Sequence, residues 1–316
     1  MAAPRDPSTL MRAAYLYYVE DKSQAAIAEE LGTSRSNVSR MLDEAKRQGI
    51  VEIRLNDPSG RHRQLEEQLA THFGLTEARV APRGARTGAS AEDRVGGLAA
   101  GLLLESLKEP MTVALSWGSA LQSMVFAVTT DSDHDVTVVQ LLGGVSAVNN
   151  DISGQELVRE LAVRLGASYR LLHAPATLES AQAARSLLEE SSVRAALALA
   201  RSADLAFVGV GDPTHGSSAA VLESLRLDQE ESRDFWARGP VGDLAGRYVT
   251  ASGEPVGGPV EDRVVGVSLA DLNRIPVVYG VAVGRSKTTA VLGALRGHHV
   301  DGLVVDEALA RSLLSH

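Results

Sequence analysis

From about Ala78 to the end of the chain, short apolar runs recur at regular intervals with amphipathic stretches between them. No other feature limits the possible folds as much. The strand candidates are Thr112–Leu115, Val136–Leu141, Ser168–Leu172, Leu205–Val210, Val264–Val267, Val277–Val283 and Gly302–Val305. Helical periodicity fills most intervals, over Ala91–Leu107, Gln155–Leu165, Val193–Arg201, Lys287–Leu295 and Glu307–Leu314. Near-continuous apolar strands need cover on both faces, and strands joined through helices run parallel. The pattern therefore predicts an α/β fold with helices on either side of a parallel sheet. Gly84–Ser90 and Ser252–Pro259 are Gly-rich loops too short to act as low-complexity segments, and no internal repeat is present. At 316 residues the chain holds about two domains of ordinary size. Its 44% hydrophobic content supplies a sizeable core and excludes global disorder.

Ahead of this region the rhythm is helical. Thr9 to Glu20 carries Leu10, Ala13, Ala14, Tyr17 and Tyr18 at three-and-four spacing. Ser23 can cap a second helix through Ile27 to Leu31, ended by Gly32. Ser34 can cap a third, with Val38, Met41, Leu42 and Ala45 on one face and an end near Gly49. Two short helices joined by a turn that tolerates positive φ, apolar on both sides, form a helix-turn-helix. Opposite the apolar face of the third helix lie Ser36, Arg40, Asp43 and Arg47, flanked by Asn37 and Ser39. Small polar and Arg side chains near a helix N-terminus suit contact with base edges in a major groove. Ser34, Arg35, Ser36, Asn37, Ser39 and Arg40 are the expected DNA contacts, with Arg40 reading a base, expected to be guanine. Asp43, one turn on, would oppose phosphates, which favours entry by the N-terminal end. Val51–Leu55 alternates like a short wing strand, on which Arg54 joins Lys46 and Arg47 either as phosphate contacts or as plain surface charges. After the break at Asp57–Gly60, a helix from about Arg61 to Phe73 carries Leu65, Leu69 and Phe73 along one stripe. That stripe suits either a dimer seam or packing on the chain's own second domain.

Net charge divides in the same way. The chain totals −9, yet residues 1–56 hold eight basic and eight acidic side chains, so the whole excess lies beyond them. An acidic body repels DNA, which confines any DNA contact to the N-terminal segment.

In an open parallel sheet, ligands settle at strand carboxyl ends, where helix N-termini present free amides. Three loops fit: Leu115–Ser119, Gln140–Gly144 and Gly284–Thr288, the last bringing Lys287 to a helix start. Enzyme signatures are missing. Gly280–Thr288 lacks Walker spacing, Gly209-Val-Gly211 has no third glycine in place, and there is no Gly-x-Ser-x-Gly elbow or His-Glu-x-x-His. The absence of cysteine excludes thiolate metal sites and thiol nucleophiles, and fits a reducing compartment. His298-His299 reads as a loop pair and Asp131–Asp135 as a solvated acidic loop. No catalytic residue, metal ligand or cofactor is expected. The uncharged run Pro110–Thr130 is interrupted by Ser116, Gly118, Ser119, Gln122 and Ser123, which argues against a membrane span and for a cytoplasmic protein.

Two sets of residues, taken together, resemble a family. The first is Ser23-Gln-x-x-Ile27-Ala28-x-x-Leu31-Gly32-x-Ser34-Arg35-x-x-Val38-Ser39-Arg40, then Leu42 and Gly49-Ile50-Val51. The second comprises Ser116-Trp117-Gly118, Gly143-Gly144, His173-Ala-Pro175-Ala, Val208-Gly-Val-Gly211, Gly242-Asp243, and Lys287 with Ala294-Leu295-Arg296-Gly297. Nearly end to end, the chain is similar to the bacterial SorC-type sugar-binding transcriptional regulators. The resemblance implies a winged helix-turn-helix joined to a Rossmann-like parallel-sheet effector domain, similar to sugar-phosphate isomerases and deaminases. It implies operator DNA and a sugar or sugar phosphate as partners, and a homo-oligomer, dimer or tetramer. On this basis residues 1–57 form the DNA-binding domain, 58–77 a connector helix, and 78–316 the effector-binding and oligomerisation domain. The implied effector contacts are Ser116, Trp117, Gly118, Ser119, Gln140, Gly143, Gly144, Gly211, Asp243 and Lys287. Among these, the Ser116–Ser119 loop and Lys287 would hold a phosphate, and Asp243 sugar hydroxyls. The chain departs from the family at Ala120, where a Thr is frequent, so a free polyol stays open beside a phosphorylated effector. The rival class is a sugar-phosphate isomerase or deaminase with an appended DNA-binding domain, which turnover of sugar phosphates by pure protein would reveal.

Overall fold

The computed structural model describes residues 6–51, 60–84, 88–144 and 153–316, and the chain divides into two compact units, Met1–Asn56 and Asp57–His316. The first unit consists of α1 (Pro7–Tyr18), α2 (Gln24–Glu30) and α3 (Arg35–Arg47). Leu10, Ala13, Ala14 and Leu16 of α1 close over Ile27, Ala28, Val38, Met41, Leu42 and Ala45, all buried. The periodicity read from the sequence is the periodicity of this core. Each fully buried large aliphatic side chain contributes roughly 1.5–3 kcal/mol by leaving water. The expected wing strand Val51–Leu55, and Arg54 with it, lie outside the described residues except for Val51, which packs at the edge of this core.

The second unit opens with α4 (Arg63–Phe73), β1 (Glu77–Ala81), α5 (Ala91–Ser106), β2 (Met111–Leu115), α6 (Ser119–Ala127), β3 (Val136–Gln140), α7 (Gly154–Leu165) and β4 (Ser168–Arg170). It continues with α8 (Ala181–Glu189), α9 (Ser191–Arg201), β5 (Leu205–Gly211), α10 (Gly216–Ser224), α11 (Gln229–Ala237), β6 (Pro240–Leu244) and β7 (Arg247–Thr250). The last elements are α12 (Leu269–Leu272), β8 (Val278–Ala282), α13 (Thr288–Arg296), β9 (Gly302–Asp306) and α14 (Glu307–Leu313). The parallel path runs β1-β9-β8-β5-β2-β3-β4, with β6 pairing antiparallel to β5 and to β7. Side chains alternate between two buried layers, as strands covered on both faces require. Leu205 and Phe207 enter one layer with Val113 and Leu115, while Ala206 and Val208 enter the other with Ala114. Strand order reverses between the neighbours β2 and β5, so a crevice opens at their carboxyl ends.

Several elements differ from the sequence pattern. Val264–Val267 joins the parallel sheet nowhere. Its apolar run reflects burial, and its backbone forms only the isolated bridges Thr177 to Val264 and Leu142 to Gly266. The carbonyls of Val264, Gly266 and Val267 instead accept from the buried Arg247 guanidinium, at 3.3, 3.1 and 2.9 Å. The hairpin β6–β7 carries no Asn-Gly or Asp-Gly signature. Ala245 and Gly246 make its turn at φ 51° and 78°, a strained place for alanine. β1 escaped notice because Glu77 and Arg79 interrupt its apolar character. Leu65 and Leu69 of α4 are buried in the core of the second unit, and Phe73 packs against it. That stripe is spent on the chain's own domain.

Candidate DNA-reading face and effector cavity

In the first unit Ser23 and Ser34 cap α2 and α3, accepting from the amides of Ala26 and Asn37 at 3.2 Å each. Gly32 sits at φ 61° in the turn, where a side chain would be strained. With the apolar face of α3 buried, Ser34, Arg35, Ser36 and Arg40 are exposed and Asn37 and Ser39 half-buried. Asn37 donates from Nδ2 to Thr33 Oγ1 at 2.7 Å, and the Ser34 and Ser36 hydroxyls lie 3.0 Å apart. Neither Arg35 nor Arg40 forms an ion pair among the described residues, whereas Arg47 is paired with Glu44. α3 thus presents two unneutralised guanidinium groups at its N-terminal half. Lys46 is exposed beyond them.

In the second unit a cavity of about 400 Å³ lies at the reversal point of the sheet. It is lined by Trp117, Gly118 and Ser119 after β2, by Gly209 and Gly211 of β5, and by the start of α10. Asp243 of β6 and Lys287 before α13 complete it. Six of the residues expected from the sequence therefore meet: Trp117, Gly118, Ser119, Gly211, Asp243 and Lys287. The others stand outside the lining. Ser116 is buried and accepts the Gly209 amide at 3.0 Å, fixing β2 to β5. Gln140 is buried too, its Oε1 accepting the Leu172 amide at 2.8 Å and its Nε2 donating to the Leu142 carbonyl. Gly143 lies so close to the chain at Ala174–Pro175 that a Cβ would come within 2.4 Å of a carbonyl oxygen. The Gly144 amide donates to Ala174 O at 2.8 Å. These four build the frame behind the cavity rather than its wall.

Gly118 caps α6 without a side chain, so the first-turn amides keep no side-chain acceptor and line the cavity. Across from them, burial pushes the Lys287 ammonium below its ordinary range, while Asp212 and Asp243 pull it back. Asp243 is 6% exposed. Its Oδ2 accepts from Ser218 Oγ at 2.7 Å, and its Oδ1 is buried without a hydrogen-bond partner. Burial raises its pKa to about 6 against the opposing pull of the Ser218 hydroxyl, the nearby Gly246 amide and Lys287. The Tyr248 hydroxyl donates to the Ser218 carbonyl at 3.0 Å, which ties α10 to the hairpin carrying Asp243. A Cβ on Gly211 would meet Ser218 Oγ at 1.8 Å, so glycine is required where β5 passes this pair.

Sequence reading missed Glu92, His215, Ser217 and Ser218 on the same wall. Ser217-Ser218 sits just beyond a strand end, a signal open to inspection; Glu92 lies on α5, remote from any strand end. Among the described residues no cluster of three or more His, Asp or Glu could seat a metal ion, and no helix is long and apolar enough to cross a membrane.

A helix-turn-helix with unpaired arginines, on one chain with a polar cavity at a sheet reversal, defines a ligand-responsive DNA-binding regulator. The family profile described as "Putative sugar-binding domain" matches residues 57–315, and a MarR family profile matches residues 12–62. The chain is 32% identical over 306 residues to the transcriptional regulator LsrR of Klebsiella pneumoniae subsp. pneumoniae, covering 96% of this chain and 92% of that one. It is 30% identical to the deoxyribonucleoside regulator of Bacillus subtilis, with 96% of each chain covered. The full-length sorbitol operon regulator SorC from Klebsiella pneumoniae superposes with a TM-score of 0.73 at 30% identity, over 98% of this chain and 99% of that one. The chain belongs to the SorC-type family of sugar-binding transcriptional regulators.

Proposed function

We propose that the protein is a DNA-binding regulator of a carbohydrate-catabolism operon whose operator affinity is set by a sugar, polyol or sugar phosphate in the cavity. The observation that carries the effector half is the pairing of a buried, unpartnered Asp243 Oδ1 with a half-buried Lys287 on one 400 Å³ wall. A buried polar atom without a partner costs free energy that a ligand hydroxyl can relieve. An ammonium beside helical amides suits an anion. Trp117, Gly118, Ser119, Gly211, Asp243 and Lys287 are the effector contacts in this reading. Ser34, Arg35, Ser36, Asn37, Ser39 and Arg40 are the operator contacts. One short recognition helix reads few base pairs, and a two-fold operator needs two of them about 34 Å apart. The acting species is therefore a homo-oligomer, dimer or tetramer, working on operator DNA in the cytoplasm without a catalytic step.

A thermal-shift screen of free and phosphorylated sugars tests this reading, followed by operator titration with and without each hit. A specific ligand at 100 times its Kd stabilises by about 2.7 kcal/mol. A hit that shifts melting but leaves operator affinity unchanged would overturn the coupling.

A further inference from the structure

Resting on the effector reading above, we infer that Glu92 makes this a one-anion site, which admits a sugar or polyol monophosphate and rejects a bisphosphate. The ionisable side chains on the cavity wall are Glu92, His215, Asp243 and Lys287. Lys287 is the permanent cation of that set, and Asp212 and Asp243 both act on it. A first phosphate has a place, between the ammonium and open helical amides. A second finds no further permanent cation on the wall: the start of α10, which no side chain caps, adds amides there without one. Glu92 stands on this wall with Ser119, the first residue of α6. Glu92 and Ser119 also line a shallow cleft leading outward, together with Asp93, Gln122 and Ser123.

Glu92 lies in the first turn of α5, where a carboxylate is favoured by the helix dipole. The cap of that helix is made by Ser90 and Asp93, so Glu92 is not needed for it. Its carboxylate has no hydrogen-bond or ion-pair partner among the described residues. A free carboxylate there accepts from ligand hydroxyls and repels a second phosphate. Discrimination by a built-in repulsive charge is a general device of specific sites. Buried Asp243 Oδ1, unpartnered on the same wall, adds demand for a hydroxyl donor rather than another acceptor.

The test uses the full chain and matched probes: ribose 5-phosphate with ribose 1,5-bisphosphate, and fructose 6-phosphate with fructose 1,6-bisphosphate. Trp117 lies on the wall, so its fluorescence in a Trp236→Phe background reports occupancy. Bisphosphates are expected to bind at least about tenfold more weakly than their monophosphates, the size of one partly screened like-charge contact. Glu92→Gln, the same shape without charge, is expected to tighten bisphosphate about tenfold more than monophosphate. Equal or tighter bisphosphate binding by the parent, or an unchanged ratio in Glu92→Gln, overturns the role of Glu92. Failure of every phosphate to bind while free polyols do overturns the phosphate-anchor reading of Lys287, and the one-anion site with it.

Discussion

The two units solve recognition in opposite ways. On α3 every expected contact lies within seven consecutive residues, Ser34 to Arg40, and a single helix displays them. In the cavity, Glu92, Trp117, Gly211, Asp243 and Lys287 come from five separate places along the chain and meet through strand order. The first surface is a property of local sequence; the second is a property of topology. A change at the cavity should therefore alter effector response and leave the α3 face intact, and the reverse should hold.

The largest break in that comparison is Lys287→Ala. Loss of the half-buried ammonium leaves a phosphate facing Asp212 and Asp243 without a cation. Response to a phosphorylated effector should fall by about a hundredfold or more, the scale of a lost charge-assisted contact that leaves its partner unpaired. Effector-free operator binding should stay near normal. A mutant that titrates with the effector as the parent does would place the anchor elsewhere.

Asp243 gives the next effect, and its sign is fixed by linkage. Its folded pKa of about 6 stands above the ordinary carboxylate value of 3.8, so the folded state binds more protons between those pH values. The stabilisation this brings is fully present below about pH 4 and lost as pH rises through 6, on the order of 2–3 kcal/mol. Asp243→Asn should flatten that slope and raise stability at pH 7 to 8, measured by denaturant unfolding at several pH values. An effector hydroxyl that donates to the carboxylate favours its charged form, so parent affinity for a free polyol should fall as pH drops below 6. Retention of the stability slope in Asp243→Asn would assign it to another group.

Legibility in the sequence follows the same division. The helices of the first unit were readable because burial repeats at 3.6 residues, as in Val38–Met41–Leu42–Ala45, and most parallel strands because burial on both faces makes one apolar run, as in Leu205–Val208. Asp243 and Lys287 came from family resemblance and strand-end logic. Glu92 was hidden because nothing in a helix first turn distinguishes a solvent carboxylate from one facing a cavity. Ser116 and Gln140 show the converse: polar residues at strand ends whose hydrogen bonds go to neighbouring backbone, outside the cavity lining. The Val264–Val267 segment misled because a buried Arg247 satisfies its carbonyls as a sheet neighbour would.

Arg40→Ala probes the helical surface with a moderate effect. Arg40 is exposed and free of ion pairs among the described residues, so its removal costs the fold little. A bidentate contact to guanine is worth about 1–3 kcal/mol of discrimination. Operator affinity should drop by that amount in a mobility-shift titration, while the effector-induced melting shift stays as in the parent. Unchanged operator affinity would remove Arg40 from the reading face.

The smallest effect separates two roles at one residue. Ser34 caps α3 through the Asn37 amide and also lies on the exposed face beside Ser36. Ser34→Ala removes the cap and should destabilise the first unit by about 1 kcal/mol, since the amide loses its acceptor. Ser34→Asp keeps a good cap and is further favoured at a helix N-terminus, so stability should return to the parent value. Its new negative charge would stand where a DNA phosphate approaches, so operator affinity should stay low and recover little with the fold. If Ser34→Asp restores operator binding together with stability, Ser34 acts only as a cap, and the contact surface of α3 begins at Arg35.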